Sequence, residues 1–271
     1  MKSQGERPNR RLVSEWTLER LYDLVFSGTL GPGATVREEQ LTTLLGVSRS
    51  PVRMSLHQLE IDGLLEIDPV SGRRSIARIG PKDVYGLYTI RAALEEVSVA
   101  HAATRATPAV LAELEDLEAA IEESLSGGEN GDQVFVLDIK FHQRICDISG
   151  LTRLKATLSP LWLQTRVLLR YLRGAGLYND EEELLLAYKD HRDIMAALKA
   201  KDAHLAANTV RHHLHERRDY LIATLQKERQ KGTSWPVPNP SLAAAPSTRE
   251  PKVPASSVTP APQIGPWTVV H

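Results

Sequence analysis

The chain has 271 residues and a formal net charge of −1 at pH 7. This length suggests two domains, and the balanced charge means that any nucleic-acid binding must rest on a local basic face. The single cysteine, Cys146, excludes an internal disulfide and suits a reducing compartment. The sequence has neither an apolar run of ~18 residues nor the apolar core of a signal peptide. We therefore expect a cytoplasmic protein without a membrane span.

The N-terminal region begins with a polar arm that is followed by segments with helical patterning. Residues 1–11 are polar and contain arginines, and we expect them to form a flexible arm. A winged helix-turn-helix domain is predicted over residues 12–80. Its first helix is predicted over about 14–27, where leucines recur at helical spacing. Thr35 and Glu38 have the spacing of a capping box, which predicts that the next helix begins there.

Residues 46–65, which read GVSRSPVRMSLHQLEIDGLL, have the pattern of the second half of a helix-turn-helix. Gly46 supplies the turn. Ser50 is the predicted N-cap of the second helix and Pro51 its first residue, where the missing N–H of proline costs nothing. Gly63, just past the predicted end, is the matching stop signal.

This second helix separates into an apolar side and a polar side. The residues expected to face the core are Val52, Leu56, Leu59 and Ile61. The residues expected on the outward face are Arg49, Ser50, Arg53 and His57. Because residues 40–59 include no acidic side chain, we interpret this face as one that enters the major groove of DNA. A solvated amphipathic helix is the alternative interpretation.

Two short strands are predicted after this helix, at residues 64–68 and 75–79. The intervening PVSGRR segment is a turn with Gly72, Arg73 and Arg74 at its tip. We interpret this hairpin as a wing whose tip contacts the DNA backbone or the minor groove. A solvated turn is the alternative.

The whole motif resembles the corresponding stretch of the GntR family of bacterial transcription regulators, which typically reads GVSRTPVREAL-x-x-L-x-x-x-GL. GVSRSPVR at residues 46–53 matches it nearly letter for letter, and the later leucines and the Gly-Leu pair match as well. The resemblance implies that three residues contact DNA, namely Arg49, Ser50 and Arg53. The chain departs from the family at Met54 and Ser55, where Glu-Ala is usual.

Residues 81–230 are expected to form an all-helical domain, with helices at 82–105, 108–125, 132–149, 151–173, 181–199 and 202–227. Pro160 is expected to kink or split the fourth of them. Residues 231–271 hold nine prolines and lack apolar periodicity, so we expect a disordered tail. The predicted fold class is therefore mainly α, with a winged helix-turn-helix that carries a small β wing, an all-α helical-bundle effector domain and this tail.

Four residues of the helical region suit a divalent metal ion. Asp138 and His142 lie four apart on one face of one helix, while His191 and His213 fall in the last two helices. Three imidazoles and a carboxylate are a donor set for Zn²⁺, Ni²⁺ or Mn²⁺. The sequence alone leaves open whether these remote residues converge, and a single histidine is more often a surface or core residue.

The same region resembles the FCD ligand-binding domain of the FadR branch of GntR regulators. R-x-x-L-E occurs at residues 91–95, D-x-x-F-H at 138–142 and D-H-x-x-I-x-x-A-L at 190–198, and a final histidine follows one long helix later. The resemblance implies that the metal ligands are Asp138, His142, His191 and His213. His212 and His215 are the alternatives for the fourth ligand, but His213 has the family spacing.

An effector site is implied beside this metal. Four protein ligands leave positions open on an octahedral ion, and a small carboxylate can fill them. Arg91 matches the family's early arginine and can bind that carboxylate in bidentate fashion, or it can pair with Glu95 four residues later. Further candidates for the cavity wall, left undecided, are Gln164, Arg166 and Arg170.

These features together predict a ligand-responsive transcription regulator, a repressor rather than an activator, and not an enzyme. A homodimer is expected to bind a pseudo-palindromic operator in double-stranded DNA and to sense a small-molecule carboxylate near a bound divalent metal ion. One alternative is a metal-independent regulator that senses an acyl-CoA or another organic ligand. A helical metalloenzyme is disfavoured by the lack of a nucleophile–base motif, and a constitutive architectural DNA-binding protein by the modest local charge.

Overall fold

The computed structural model describes residues 10–126, 131–178 and 181–231. The predicted tail beyond Lys231 and the first nine residues of the predicted arm lie outside these ranges. Within the described ranges the chain forms nine helices and three short strands, so the predicted mainly α fold class is confirmed. None of the described helices is long and apolar enough to cross a lipid bilayer.

The N-terminal part of the fold combines three helices with a three-stranded antiparallel sheet of order β1-β3-β2. Its elements are α1 Arg10–Phe26, β1 Thr35–Val36, α2 Glu38–Leu45, α3 Arg49–Ile61, β2 Leu65–Ile67 and β3 Arg74–Ile76. Strands β2 and β3 form the predicted wing. Helix α1 begins earlier than predicted, so the last two residues of the predicted arm are helical.

Strand β1 contradicts the sequence prediction for this segment. Thr35 is predicted to begin a helix, whereas it pairs with Ser75 of β3. Helix α2 begins only at Glu38, and Arg37 before it is extended and makes no side-chain capping bond. The prediction was wrong because the partner of β1 lies far along the chain, beyond what a local capping pattern can detect.

The start of α3 also differs from the prediction, whereas its end agrees. The helix begins at Arg49, so Ser50 is its second residue rather than its N-cap, and Pro51 is its third. Proline is tolerated there because the first four N–H groups of a helix have no intrahelical partner. At the other end Gly63 has a φ of 69° and donates its N–H to the carbonyl of Glu60, which closes the helix as predicted.

One hydrophobic cluster fills the N-terminal part. Its most deeply buried members are Leu21, Val52, Leu56, Leu59, Leu64 and Ile76. Ile61, by contrast, is 59% exposed, so its predicted place in the core is wrong. The physical reason is its position on α3, about half a turn away from the side that carries Val52 and Leu59.

The helical part of the fold comprises six further helices. They are α4 Pro81–Arg105, α5 Pro108–Ser126, α6 Gly131–Ser149, α7 Thr152–Gly174, α8 Glu181–Lys199 and α9 Ala203–Gln230. Their bounds agree closely with the prediction, because helix caps and glycine breaks are local signals. Helix α4 packs along α9, and a large apolar cluster that includes Val99, Phe141 and Leu221 joins α4, α6 and α9.

Helix α7 contributes to both parts of the fold. Val167 belongs to the cluster of the N-terminal part, whereas Leu168 belongs to the cluster of the helical part. The helix runs through Pro160 without a break, so the predicted split does not occur. Leu158 and Trp162, on either side of the proline, are buried in one small cluster that holds this segment in place.

Candidate functional site

The exposed side of α3 carries the four residues of the helix that are predicted to contact DNA. These exposed residues are Arg49, Ser50, Arg53 and His57. Met54, one of the two departures from the family motif, is 61% exposed on the same helix. Because the opposite side of α3 packs into the core, this side is the one that a DNA duplex can approach.

Glu38 at the start of α2 contacts two arginines close to this surface. One carboxylate oxygen lies 3.4 Å from Nη2 of Arg53, and the other lies 2.9 Å from Nη1 of Arg74. Burial acts to raise the pKa of Glu38, but the two ion pairs outweigh it and the pKa lies below its ordinary value. Arg74 therefore lies within β3 beside Glu38, and its predicted place at the tip of the wing is wrong.

The tip of the wing is a tight turn between β2 and β3. Oδ1 of Asp68 accepts hydrogen bonds from the backbone N–H groups of Val70 and Ser71, at 3.0 and 2.7 Å. Gly72 has a φ of 66°, a left-handed conformation that favours glycine. Gly72 and Arg73 are both exposed, and their contact with DNA stays a prediction.

The four predicted metal ligands come together from three helices. They are Asp138 and His142 of α6, His191 of α8 and His213 of α9. One potential ligand atom of each lies within 4.8 Å of all the others. Bonds of about 2.1 Å place two ligands of one ion at most about 4.2 Å apart, so small side-chain rotations would bring all four onto one ion.

The burial of the neighbouring histidines separates the three candidates for the fourth ligand. His213 is 1% exposed and belongs to the cluster, whereas His212 is exposed and His215 is only half-buried. Successive residues of a helix point about 100° apart, so adjacent side chains cannot face the same site. The geometry thus favours His213, the residue with the family spacing.

Two carboxylates lie behind the histidines of the cluster. Nδ1 of His142 lies 2.7 Å from Oε2 of Glu95, and Nδ1 of His213 lies 3.1 Å from Oδ2 of Asp190. Donation from Nδ1 leaves the lone pair of Nε2 for a ligand, and Nε2 of His142 is buried without a hydrogen-bond partner among the described residues. The sequence analysis does not assign either carboxylate this role of orienting a histidine. The available signals were that Glu95 ends the R-x-x-L-E motif and that Asp190 directly precedes His191.

Burial and charge favour neutral imidazoles and ionised carboxylates in this cluster. Burial lowers the pKa of His191, and it lowers the pKa of His213 to about 3. Burial acts to raise the pKa of Glu95, but neighbouring charges, that of Arg91 foremost, outweigh it and bring the pKa to about 2. The pKa of Asp138 also lies below its ordinary value, because its contact with His191 and the nearby imidazoles outweigh burial. Divalent ions require ligands in these protonation states.

A cavity opens beside the cluster. Its empty volume is about 500 Å³, which includes open solvent at its mouth. Part of its wall is apolar, with Val134, Phe135 and Leu169 among the residues that line it. The polar residues of the wall, apart from the cluster itself, are Tyr88, Arg91, Tyr178 and Arg217. An apolar wall with a few convergent polar groups is typical of a small-molecule site.

Arg91 makes the internal ion pair and also lines the cavity. Its Nε donates to Oε1 of Glu95 at 2.8 Å, and its Nη1 donates to the hydroxyl of Thr165 at 3.2 Å. Nη2 has no hydrogen-bond partner among the described residues. The two interpretations of Arg91 are therefore compatible, because Glu95 orients the guanidinium while one nitrogen is left for a ligand oxygen.

Arg217 of α9 is a second arginine of the cavity wall, and sequence reasoning missed it. Its Nη1 donates to the hydroxyl of Tyr178 at 3.0 Å, and the residue is only 8% exposed. It follows His213 by one helical turn, so both side chains lie on the same face of α9. That spacing is the signal that would have identified it.

The α7 residues proposed for the cavity wall, Gln164, Arg166 and Arg170, are not among the residues that line the described cavity. Gln164 and Arg166 contact the N-terminal part instead, at Asp62 and Phe26. Helix α7 reaches the cavity through Leu169. The sequence leaves these residues undecided because α7 has apolar neighbours on more than one side.

Two family models match the chain. Residues 14–74 match the bacterial regulatory proteins of the gntR family, and residues 86–216 match the FCD domain. The first range contains the whole of α3. The second contains the four residues of the metal-ligand cluster.

Individual relatives agree with these matches. The chain is 30% identical over 211 residues to the "Uncharacterized HTH-type transcriptional regulator YdhC" of Bacillus subtilis (strain 168), covering 78% of this chain and 92% of that protein. It is 27% identical over 226 residues to the "Probable D-xylose utilization operon transcriptional repressor" of Paenarthrobacter nicotinovorans, covering 83% and 94%. The solved structure of E. coli McbR/YncC superposes with a TM-score of 0.64 at 28% identity, covering 80% and 98%. The chain therefore belongs to the gntR family of bacterial regulatory proteins, carries an FCD domain, and is a transcription regulator rather than an enzyme.

Proposed function

We propose that this regulator is a repressor that senses a small carboxylate beside a bound divalent metal ion. The observation that carries the proposal is the cluster of three buried histidines and one aspartate at the wall of a cavity. The repressor role is supported by a relative that is named as one.

The chemistry of the cluster fits a divalent ion. The proposed ligands are Asp138, His142, His191 and His213, and their nitrogen and oxygen donors suit Zn²⁺, Ni²⁺ or Mn²⁺. Nε2 of His142 is buried without a hydrogen-bond partner among the described residues, and such an atom destabilises a fold unless a ligand satisfies it. When bound, the ion would supply Lewis-acid positions for the oxygen atoms of a carboxylate.

The two arginines of the cavity support an anionic ligand. Glu95 and Thr165 orient Arg91, and Tyr178 accepts a hydrogen bond from Arg217. Guanidinium groups bind carboxylates through charge-assisted hydrogen bonds, and the apolar wall can contact a short carbon skeleton. The alternative regulator, which senses an acyl-CoA or another organic ligand without a metal, differs in requiring no ion for its response.

We propose that two copies of the chain bind DNA together. The proposed DNA-contacting residues are Arg49, Ser50, Arg53 and His57 of α3, with Gly72 and Arg73 of the wing. One recognition helix reads only a few base pairs, so a homodimer would place two α3 helices about one helical turn apart on a pseudo-palindromic operator. The DNA-binding and effector domains are proposed to cover residues 12–80 and 81–230.

Regulation in this proposal is a linkage between the two domains. The carboxylate binds preferentially to the dimer when its two winged helix-turn-helix domains are arranged in a way that fits the operator less well. The repressor then dissociates from the DNA. A ligand with equal affinity for both arrangements would shift nothing, so the difference in affinity sets the size of the response.

Replacing Asp190 by asparagine is expected to weaken metal binding about 10- to 100-fold, because a neutral amide orients Nδ1–H of His213 less strongly than a carboxylate does. Titration of the metal against a competing chelator measures the change. Asp193→Asn, at an exposed position of the same helix, is the matched control and should bind metal like the wild type. Equal affinities of Asp190→Asn and the wild type would contradict the orienting role.

Replacing Arg217 by methionine is expected to weaken carboxylate binding about 10- to 100-fold and to leave the metal content unchanged, because methionine keeps an apolar stem but loses the charge-assisted hydrogen bond. Short-chain carboxylates are titrated into the metal-loaded repressor bound to a fluorescent duplex that the wild type selects from random DNA. The fluorescence anisotropy reports release.

The exposed Arg229 of the same helix provides the matched control, Arg229→Met, which should respond like the wild type. Release of the duplex at the same carboxylate concentration from Arg217→Met and the wild type would exclude Arg217 from the site. Failure of every carboxylate to change the DNA affinity of the wild type would show that the proposed ligand class is wrong.

A further inference from the structure

Helix α7 contacts the residues that surround the metal-ligand cluster. Nε1 of Trp162 donates to Oε1 of Glu95 at 2.9 Å, and the hydroxyl of Thr165 accepts a hydrogen bond from Nη1 of Arg91 at 3.2 Å. Glu95 in turn lies 2.7 Å from Nδ1 of His142. Both α7 side chains are fully buried. The position of α7 is therefore tied to the Arg91–Glu95 pair.

Another side of α7 contacts the DNA-binding part of the chain. Nε2 of Gln164 donates to the backbone carbonyl of Asp62 at 2.9 Å. Gly63 leaves room for this contact, since a Cβ atom there would lie 2.5 Å from Nε2 of Gln164. Two residues further along α7, the guanidinium of Arg166 lies 4.0 Å from the centre of the Phe26 ring. Gln164 thus holds the residue that directly follows α3.

Asp62 connects this contact to the recognition helix and to α1. It is the C-terminal cap of α3 and is only 7% exposed. Its carboxylate accepts hydrogen bonds from the hydroxyl of Tyr22 and, at 3.0 Å, from Nε2 of Gln58. A displacement of the Asp62 backbone would therefore move the end of α3 and would also act on α1.

Thr165 and Gln164 are adjacent residues of one hydrogen-bonded helix, which is stiff over so short a distance. A change at the Arg91–Glu95 pair that displaces Thr165 must then displace Gln164 as well. We propose that α7 couples the effector cavity to the DNA-binding domain, and that Gln164 is the positioning residue that passes the displacement of α7 to the end of the recognition helix. This inference rests on the ligand-sensing function proposed above.

Hydrogen exchange of the full-length chain, followed by mass spectrometry of peptides that cover residues 56–64, tests the coupling. Thr165→Val removes the hydroxyl that faces Arg91 and preserves the shape of the side chain. It should increase the rate of amide hydrogen exchange at residues 56–64 about fivefold, because the loss of about one hydrogen bond makes local opening about fivefold more frequent. Gln164→Met, which keeps the length of the side chain but loses the N–H donor, should have a similar effect.

Two control variants distinguish coupling from general loosening of α7. Thr165→Ser restores the hydroxyl and should exchange like the wild type. Thr157→Val makes the same chemical change at an exposed position of α7 and should leave residues 56–64 unaffected. Should Thr165→Val fail to fold, Trp162→Phe, which removes the indole donor to Glu95, provides the same test from the neighbouring contact.

The double variant gives the decisive comparison. If Gln164 passes on the displacement, adding Thr165→Val to Gln164→Met should change exchange at residues 56–64 no further. Independent effects would instead multiply to about 25-fold and would overturn the proposal. The proposal would also be overturned if Thr165→Val accelerated exchange in α4 but not at residues 56–64.

Performing each comparison after dialysis against a chelator, and again with added Mn²⁺, separates this inference from the proposed metal site. The differences among variants at residues 56–64 do not require bound metal and test the coupling alone. If the proposed ligands do not bind metal, the addition of Mn²⁺ will leave hydrogen exchange in α6, α8 and α9 unchanged. That result would leave the α7 comparison intact.

Discussion

Replacing His213 by alanine should reduce the bound metal from about one ion per chain to less than about a tenth of that, because the site loses one of four donors. The metal-dependent gain in stability should disappear with it. The gain expected for the wild type is about 2.7 kcal/mol when free metal is about a hundred times its Kd. Elemental mass spectrometry of protein purified without an affinity tag, together with thermal unfolding with and without metal, measures both effects.

His212→Ala is the matched control for this prediction. It removes the same imidazole from the adjacent, exposed position of α9, and it should retain the metal and the metal-dependent stability. Equal metal content of His213→Ala and the wild type would exclude His213 as a ligand. A wild-type protein that takes up no metal on dialysis would contradict the whole site and would favour the regulator that senses an acyl-CoA or another organic ligand.

Replacing Arg53 by alanine should weaken specific DNA binding at least about thirtyfold while the fold and the metal content stay unchanged. One arginine contact to a base is worth about 1–3 kcal/mol, and a dimer would lose it twice. Glu38 lies 3.4 Å from Nη2 of Arg53 and so restrains the arginine before DNA arrives. Fluorescence anisotropy with the selected duplex, at one salt concentration throughout, gives the affinity.

Arg153→Ala supplies the comparison for Arg53→Ala, since it removes the same charge at an exposed position near the start of α7. It should bind the duplex like the wild type. Unchanged affinity of Arg53→Ala would contradict the interpretation of the α3 face. If the variant binds weakly, a smaller salt dependence would indicate a lost phosphate contact, whereas a changed selected sequence would indicate a lost base contact.

The local signals of the sequence were sufficient for most of the helices and for the helix-turn-helix motif. Gly63 ends α3 with a left-handed backbone, as its place after the apolar repeat predicts. The predicted bounds of α8 agree with the structure at both ends. Glycine stops and helical periodicity act over a few residues, so a single sequence is enough to detect them.

Two predictions were wrong because a distant partner decides the local structure. Thr35 extends a sheet because Ser75 pairs with it, and no local pattern around Thr35 indicates that partner. Similarly, Arg74 lies beside Glu38 rather than at the tip of the wing. Both outcomes depend on packing between segments that are remote along the chain.

The candidate site divides in the same way. The sequence by itself placed Asp138 and His142 on one helical face, and its family motifs pointed to His191 and His213. Only the tertiary structure decided that these residues converge, that carboxylates lie behind two of the histidines, and that Arg217 lines the cavity. It also decided that Gln164 contacts the DNA-binding part instead of the cavity, because the packing partners of a helix determine what each of its sides meets.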